Sequence, residues 1–485
     1  MHLLQPDLHS RRAFLRRSTQ LGLAGTALPF ALNLAAMGEA AALTANDYKA
    51  LVCVFLYGGN DYANTVITYD YDSYNRYSAI RGGGSGQTAG GIALARSSLT
   101  PTLLTPTTPL PAERQYALHP AMTGLASLFD SGKAAVQLNV GPLVVPLTRA
   151  QYNSSDRVSY PLPPKLFSHN DQQSVWQSSS PEGSTVGWGG NLGDLALSSN
   201  SNSLFTCISV TGNAVFLSGD SALQYQVSTN GAVAINGVKN KVYGSSAVQS
   251  ALASLIQQPS NQTLESEYNR ITTRAVMAES QVTNALSGVT LNTGFPANNA
   301  LATQMKMVAR LIGARAGLGS KRQVFMVSLG GFDLHDNLIS QQTTLMQRVS
   351  EAMTAFYNAT VELGLADKVT AFTASDFGRT LSSNGDGSDH GWGSHHLMVG
   401  GAVKGKAFYG TPPPVSVTNT TALEDQWHVG QGRLLPSTSV TQYAATLAKW
   451  FGVADSELAG VLPNITNFGT RAGRPDYPID MGFMG

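Results

Sequence analysis

The sequence predicts an α/β fold, in which a mostly parallel sheet is flanked by helices. In the second half of the 485-residue chain, hydrophobic runs typical of strands alternate with longer segments of helical periodicity. Such alternation indicates a parallel sheet with right-handed crossovers. Three of the hydrophobic runs end in Gly or Ser followed by Asp or His. Because open α/β sheets bind ligands beyond the carboxyl ends of their strands, this pattern also predicts where the functional site lies.

The first half of the chain contains two buried strands and an insertion. Predicted strands cover residues 51–57 and 134–140, a helix covers 119–129, and another helix begins near Ser168. A segment around 181–298 predicts an inserted, β-containing cap. It is rich in Gly, Ser, Asn and Val and has short alternating runs. The expected elements of this segment are strands at 205–210 and 215–218 and helical structure at 247–287.

The second half supplies the remaining core elements. Residues 300–318 carry apolar side chains along one flank, which indicates a helix. The expected elements that follow are strand 323–329, helix 338–363, strand 368–374, a strand near 397–403 and a final helix at 438–452.

The N-terminus is typical of a twin-arginine export signal. Ser10-Arg11-Arg12-Ala13-Phe14-Leu15-Arg16 precedes an apolar stretch and a plausible cleavage region near residue 40. The apolar stretch is short and interrupted by Pro29, which favours removal over retention as a membrane anchor. We therefore expect a signal peptide at 1–40 and one large domain at 41–485. The twin-arginine export machinery would deliver this domain to the periplasm or the medium, with no permanent membrane span.

Composition excludes some partners and leaves others open. The formal net charge is +1, and removing four arginines and two acids with residues 1–40 leaves the mature chain at about −1. No basic run lies outside the leader, so a nucleic-acid partner is not expected. Cys53 and Cys207 lie in apolar segments, where buried thiols are favoured, although a disulfide after export stays open.

Acidic and imidazole side chains gather just after the predicted strand ends and suggest a metal centre. Oxygen and imidazole ligands without thiolates suit one or two divalent ions, namely zinc, manganese, magnesium or calcium. Asp61 could instead cap a helix, and the segment after His335 could cap the helix near 338. The candidate ligands are Asp61, Asp333, His335, Asp376, Asp389, His390 and His395.

Two further residues could act on a substrate. Ser168 at a helix N-terminus is either a cap or a nucleophile, because free N–H groups and the helix dipole at that position also favour anions. Arg379 could hold a substrate anion or form a structural ion pair with Asp376. No G-x-S-x-G, H-E-x-x-H, P-loop or Rossmann motif is present in the sequence in a suitable context.

Several motifs together resemble the bacterial family called domain of unknown function 1501. Besides the twin-arginine leader, they are Tyr57 to Asp61, Phe167 to Asp171, Gly330 to His335, Ser375 to Thr380, Asp389 to Gly391, Trp450-Phe451-Gly452 and Leu462-Pro463-Asn464. The resemblance implies an alkaline-phosphatase-like or sulfatase-like sheet with one or two metal ions. It also implies that Ser168 is the nucleophile, that Asp61, Asp333, His335 and Asp376 are ligands, and that His390 or His395 is the late histidine.

Two departures from the superfamily pattern bear on the number of metals. Phe377 stands where a two-metal enzyme often has His, and Asp333 and His335 are two residues apart where four is usual. The first hypothesis is an exported metal-dependent hydrolase of phosphate or sulfate esters, acting on a small-molecule or polymer ester. In it Ser168 attacks and Arg379 or His390 holds the anion. The alternative is a non-catalytic exported binding or envelope-assembly protein on a degenerate phosphatase-like fold.

Overall fold

The computed structural model describes residue 43, residues 45–82 and residues 91–485, and the predicted signal peptide at 1–40 lies outside them. At its centre is a ten-stranded sheet in the order β13-β4-β12-β9-β1-β8-β5-β6-β7, with β14 also paired to β4. The strands are β1 Lys49–Leu56, β2 Val66–Thr68, β3 Tyr116–Leu118, β4 Ala134–Gly141, β5 Cys207–Ser209, β6 Gln224–Ser228, β7 Gly231–Ala232, β8 Arg322–Leu329, β9 Val369–Ser375, β10 Arg379–Ser383, β11 Ser388–His390, β12 Ser394–Gly400, β13 Phe408–Tyr409 and β14 Thr438–Ser439.

Most neighbouring strands in this sheet are parallel. Strand β1 pairs in parallel with β8 and β9, β8 with β5, and β5 with β6, whereas β12 is antiparallel to both β9 and β4. The strands β2 and β3, and β10 and β11, form two small antiparallel pairs outside this sheet. The predicted α/β fold with a mostly parallel sheet is therefore confirmed.

Helices connect the strands and cover the sheet. They are α1 Tyr71–Ile80, α2 Arg96–Leu99, α3 Thr123–Asp130, α4 Arg149–Asn153, α5 His169–Ser178, α6 Trp188–Ala196, α7 Asn236–Lys239, α8 Ser246–Leu255, α9 Thr263–Ser287, α10 Ala300–Gly313, α11 Arg315–Leu318, α12 Leu338–Glu362, α13 Val440–Phe451 and α14 Leu458–Val461. No helix in the described ranges is long and apolar enough to cross a membrane.

The central strands are buried on both faces. In β1, Val52 and Val54 belong to one hydrophobic cluster, while Leu51 and Phe55 belong to the cluster on the opposite face. This two-sided burial explains why the strand is a continuous hydrophobic run without alternation. Cys53 is buried and unpaired, as is Cys207, so the predicted buried thiols are confirmed, and burial raises the pKa of both.

Three local expectations differ from the structure. Helix α3 begins at Thr123 rather than 119, because His119 precedes a proline and such a residue disfavours helical backbone. Residues 215–217 form a 3-10 turn rather than a strand, and Phe216 in this turn packs on Trp188. In the segment predicted as a cap, β5 and β6 continue the main sheet.

The pairing register brings the carboxyl ends of β1, β8 and β9 to one level. Leu56 at the end of β1 is opposite Leu329 of β8 and Ser375 of β9. The three loops that follow therefore start side by side at one edge of the sheet. Their residues provide much of the site described below.

Buried neutral histidines away from this edge make stability depend on pH. Burial lowers the pKa of His395 and His396 to about 3. The unfolded chain, with histidine pKa near 6.5, binds more protons between these limits, so stability should be lost as pH falls from about 6.5 toward 3. In His396→Asn, we expect the slope of unfolding free energy against pH in this window to decrease by about 1.4 kcal/mol per pH unit. Urea titrations at several pH values measure it, and an unchanged slope would contradict the assignment.

Candidate metal centre

The loops after β1 and β8 approach each other closely at the edge of the sheet. Gly58 has φ of +116°, and a Cβ atom at this position would lie 2.4 Å from the backbone nitrogen of Asp333. Only glycine accommodates both the backbone conformation and the contact. Gly58 therefore allows the loop after β1 to lie against Asp333.

Three imidazole rings and one carboxylate converge at this edge. The Nε2 atom of His390 lies 3.1 Å from Nε2 of His169 and 3.2 Å from Nε2 of His335. The Asp333 carboxylate lies 3.0 Å from Nε2 of His335, 3.3 Å from Nε2 of His390 and 3.4 Å from Nε2 of His169. Donor atoms of four residues from three segments of the chain thus lie close together.

The other ring nitrogen of each histidine has its own partner. Nδ1 of His169 is 2.6 Å from Oδ2 of Asp376, and Nδ1 of His390 is 2.7 Å from the carbonyl oxygen of Phe167. Nδ1 of His335 is 3.3 Å from Oδ1 of Asp389. These acceptors favour a proton on each Nδ1, which leaves the Nε2 lone pairs directed at the shared point. Metal-ligating histidines almost always have such a second partner.

The donor set and its spacing fit a divalent metal ion. Ligands arranged tetrahedrally around zinc at the usual bond lengths lie about 3.3 Å from one another, close to the 3.1–3.4 Å separations among His169, Asp333 and His390. His169, Asp333 and His390 alone form a possible metal-binding group. Imidazole ligands in general suit zinc better than magnesium or calcium.

The protonation properties of the site agree with this arrangement. The hydrogen bond to Asp376 raises the pKa of His169, whereas burial lowers the pKa of His390. Burial opposes ionisation of Asp333, but Arg379 outweighs it and the pKa of this carboxyl is lowered. Without a metal ion, a proton shared by His169 and His390 would separate their two lone pairs; an ion would replace that proton.

Arg379 positions Asp333 and is enclosed by protein groups. Its side chain is fully buried, and Nη1 donates to Oδ1 of Asp333 at 2.7 Å and to the carbonyl oxygen of Gly58 at 3.1 Å. Nη2 donates to the carbonyl oxygen of Ser388. The structure thus gives Arg379 an ion pair with Asp333, whereas the sequence suggested either a substrate anion or Asp376 as its partner.

Two of the predicted ligands are close to the centre but in an outer position. Asp376 is fully buried, and its Oδ2 atom accepts hydrogen bonds from His169, from Nε2 of Gln173 at 2.8 Å and from the backbone of Gly58 at 3.2 Å. Asp389 contacts His335 and accepts from Nδ2 of Asn384 at 2.7 Å. Both carboxylates therefore orient histidines.

Two other predicted ligands are elsewhere in the structure. The Asp61 carboxylate is paired with the buried guanidinium of Arg81, accepts from Ser388 Oγ at 3.0 Å and caps a 3-10 turn at 62–64. Nδ1 of the buried His395 accepts from the backbone nitrogen of Asn139 at 3.0 Å. These contacts give both residues a structural role. For Asp61, the predicted alternative of a helix cap is the one that the structure shows.

Ser168 occupies the N-cap position of α5 without acting as a side-chain cap. Its hydroxyl instead donates to Oδ2 of Asp171 at 3.0 Å. Lys165 is largely exposed, and its Nζ atom lies 3.6 Å from Oδ1 of the same carboxylate. Ser168 lies between Phe167 and His169, both of which contact the metal centre, so the predicted nucleophile is adjacent to it in sequence.

Phe377 fills space beside two of the histidines. Its ring centroid lies 4.8 Å from those of His169 and His390. An aromatic ring provides no ligand atom, so a second metal ion would find no ligand on this side of the two histidines. The arrangement favours one metal ion over two.

His169 is the member of the cluster that sequence reasoning did not select. It lies in the motif Phe167 to Asp171, which predicts Ser168 as the functional residue because a hydroxyl at a helix N-terminus is a familiar nucleophile. Adjacent side chains in an α-helix point about 100° apart, so Ser168 and His169 meet different surroundings and a role for one does not imply a role for the other. The signal available was a histidine inside a motif already considered functional.

The fold and site define an α/β protein with a candidate mononuclear metal centre at the carboxyl edge of its sheet. The family model described as protein of unknown function (DUF1501) matches residues 48–456. The chain belongs to this family, as the sequence motifs predicted. No curated protein matches the chain.

The fold is also similar to solved structures at a low level. One is Ps i-CgsB in complex with k-i-k-neocarrahexaose, with a TM-score of 0.36, 8% identity and coverage of 87% of this chain and 77% of that one. Another is PsFucS1 sulfatase from Pseudoalteromonas sp., with a TM-score of 0.35, 9% identity and coverage of 87% and 70%. Similarity this low says nothing about the chemistry of the site.

Replacing single histidines by asparagine tests which of them bind the metal ion. We expect His169→Asn to lose most of its bound zinc, because it removes a donor atom, while His395→Asn keeps the wild-type content. Elemental analysis of both purified, folded variants measures the difference. Equal zinc content in the two variants would remove His169 from the centre.

Proposed function

We propose that the protein is an exported metal-dependent hydrolase of phosphate or sulfate esters. The observation that supports this most directly is the convergence of three Nε2 atoms and the Asp333 carboxylate at a solvent-accessible edge of the sheet. Nearly half of the side-chain area of Asp333 and of His335 is exposed. A substrate could therefore reach the donor atoms from solvent, as catalytic rather than purely structural sites require.

The residues proposed to hold the ion are His169, Asp333, His335 and His390. A bound divalent ion supplies Lewis-acid stabilisation of negative charge on ester oxygens. The protein contributes an environment that is set before substrate binds. Asp376, Asp389 and the Phe167 carbonyl fix the orientations of the histidine rings, and Arg379 keeps Asp333 ionised and in place.

Ser168 is the proposed nucleophile and Asp171 its proton acceptor. The hydroxyl proton points to Oδ2 of Asp171, and Oγ accepts no capping hydrogen bond from the helix. In the proposed step, Oγ bonds to phosphorus or sulfur and the hydroxyl proton passes to Asp171. The ester P–O or S–O bond breaks with its electron pair on the leaving oxygen, and the alcohol departs after this oxygen takes a proton from solvent. Water then cleaves the seryl ester and releases phosphate or sulfate.

Lys165 and Ser168 share the carboxylate of Asp171 as a partner. With 71% of its side-chain area exposed, Lys165 can turn from Asp171 toward the anionic ester oxygens. Arg379 lacks this freedom because its guanidinium is enclosed. We therefore assign the proposed anion contact to Lys165 and the adjacent N-terminus of α5, and a positioning role to Arg379.

Export is proposed from the leader. The twin-arginine route carries folded proteins, which is consistent with a metal centre loaded before export. Twin-arginine transport would then place the mature chain in the periplasm or outside the cell. Replacing Arg11 and Arg12 by Lys should retain the protein in the cytoplasm, and fractionation of cells expressing both forms measures this.

Substitution of the nucleophile tests the proposed reaction. Ser168→Ala should lower kcat for the ester that the wild type cleaves by at least about 10³-fold, because it removes the oxygen that forms the covalent intermediate. Its zinc content should stay unchanged. The exposed Ser159→Ala is the matched control and should retain full activity. Screening of aryl phosphates and aryl sulfates identifies the ester used.

Different results would favour different accounts. Full activity in Ser168→Ala, with zinc required, would replace the serine nucleophile by a metal-activated water. A folded, zinc-loaded wild type that cleaves neither ester class would favour the non-catalytic binding protein. The enclosed Arg379 and the apolar Phe377 beside the histidines are the observations that support this second function.

A further inference from the structure

Exposed large hydrophobic side chains are concentrated in one part of the molecule. Ten of the fourteen in the described part of the chain lie between residues 223 and 277. Soluble monomers rarely leave such side chains grouped without a partner. The ten are Leu223, Val233, Ile235, Tyr243, Val248, Leu255, Leu264, Tyr268, Ile271 and Met277.

Helix α9 carries the most regular part of this surface. Apolar residues recur at positions 264, 268, 271, 275, 278 and 282, with the alternating spacing of four and three that is typical of coiled coils. At the C-terminal end of this series, Ala278 and Val282 are buried in the core. At its N-terminal end, Leu264 is 88%, Tyr268 64% and Ile271 53% exposed. We call Leu264, Tyr268, Ile271 and Ala275 the α9 seam.

One flank of the same helical turns is held by the protein. Asn269 and Thr272 are buried, and Nδ2 of Asn269 donates to the carbonyl oxygen of Gln258 at 2.7 Å. The orientation of the helix is therefore fixed, and the seam cannot turn inward. Burial of the seam requires another molecule.

The charges beside the seam are self-complementary. Glu265 and Glu267 flank its N-terminal half, and Arg274 flanks its C-terminal half. In an antiparallel pair of identical helices, the acidic half of one faces the basic half of the other. The existing contact between Glu267 and Arg270 is exposed and can rearrange at little cost. A lipid surface would instead favour basic residues on both flanks.

We propose that the α9 seam is a dimer interface that binds the same seam of a second copy of this chain, in antiparallel orientation. Such an interface is isologous, so Glu267 of each copy would face Arg274 of the other. The seam spans about 17 Å of helix. The proposal does not depend on the proposed hydrolase activity.

Sedimentation velocity of the mature protein at increasing concentration tests the interface. The wild type should form dimers, and Leu264→Glu should weaken dimerisation at least about tenfold, because it places a charge in the seam. Leu423→Glu is the matched control, since Leu423 is an equally exposed leucine outside the patch, and it should dimerise like the wild type. Circular dichroism verifies that both variants are folded.

Charge reversal tests the antiparallel orientation. Glu267→Arg and Arg274→Glu should each weaken the dimer, and the double variant should restore it, because the facing charges become opposite again. A wild type that stays monomeric at all concentrations would overturn the proposal. If this monomer binds anionic vesicles, the seam is a lipid-binding surface and the dimer proposal is wrong. A dimer that Leu264→Glu leaves unchanged, or one that the double charge reversal does not restore, would overturn it as well.

Discussion

The mutual repulsion of three imidazole lone pairs is the constraint on which the site depends. The Nε2 atoms of His169 and His335 lie only 3.1 and 3.2 Å from the Nε2 atom of His390. A proton or a cation between the rings relieves the repulsion, and outer contacts hold the rings in place. The Asp333 carboxylate contributes negative charge at the same point, which further favours a cation.

The rest of the molecule fixes these four side chains from several directions. The parallel register of β1, β8 and β9 places the loops side by side. Gly58 allows the loops to touch, and Arg379 binds the Gly58 carbonyl and Asp333 together. Buried Asp376 reaches both the loop after β1 and helix α5, because its Oδ2 atom accepts from Gly58 and contacts His169. Loss of any of these contacts would loosen a donor without removing it.

Sequence reasoning could predict the fold and the edge of the sheet that carries the site. Hydrophobic runs and strand ends depend on local sequence, which is why the main strands and long helices were predicted within a few residues. Asp333, His335 and His390 follow from the same logic. A ligand and a residue that orients a ligand differ only by distances of a few ångströms between segments. The sequence does not contain these distances, so it could not show that Asp376 and Asp389 orient histidines and are not ligands themselves.

Pairing between distant residues explains the other two differences. Asp61 follows a strand end as a ligand would, but buried Arg81 neutralises it, and strand β2 and helix α1 separate the two residues in sequence. His395 lies beside His396 in β12, where strand pairing with β4 brings its ring to Asn139. Neither partner can be recognised from local sequence, since each depends on which strands and loops become neighbours in the sheet.

The account can be tested most directly by X-ray absorption spectroscopy at the zinc edge on the purified, zinc-loaded mature protein. It predicts one ion with three imidazole ligands and one carboxylate, with nitrogen ligands at about 2.0 Å and no sulfur in the first coordination sphere. A spectrum with fewer than three imidazole ligands, or a protein that takes up no zinc at all, would contradict the convergence of His169, His335 and His390 on a single metal ion.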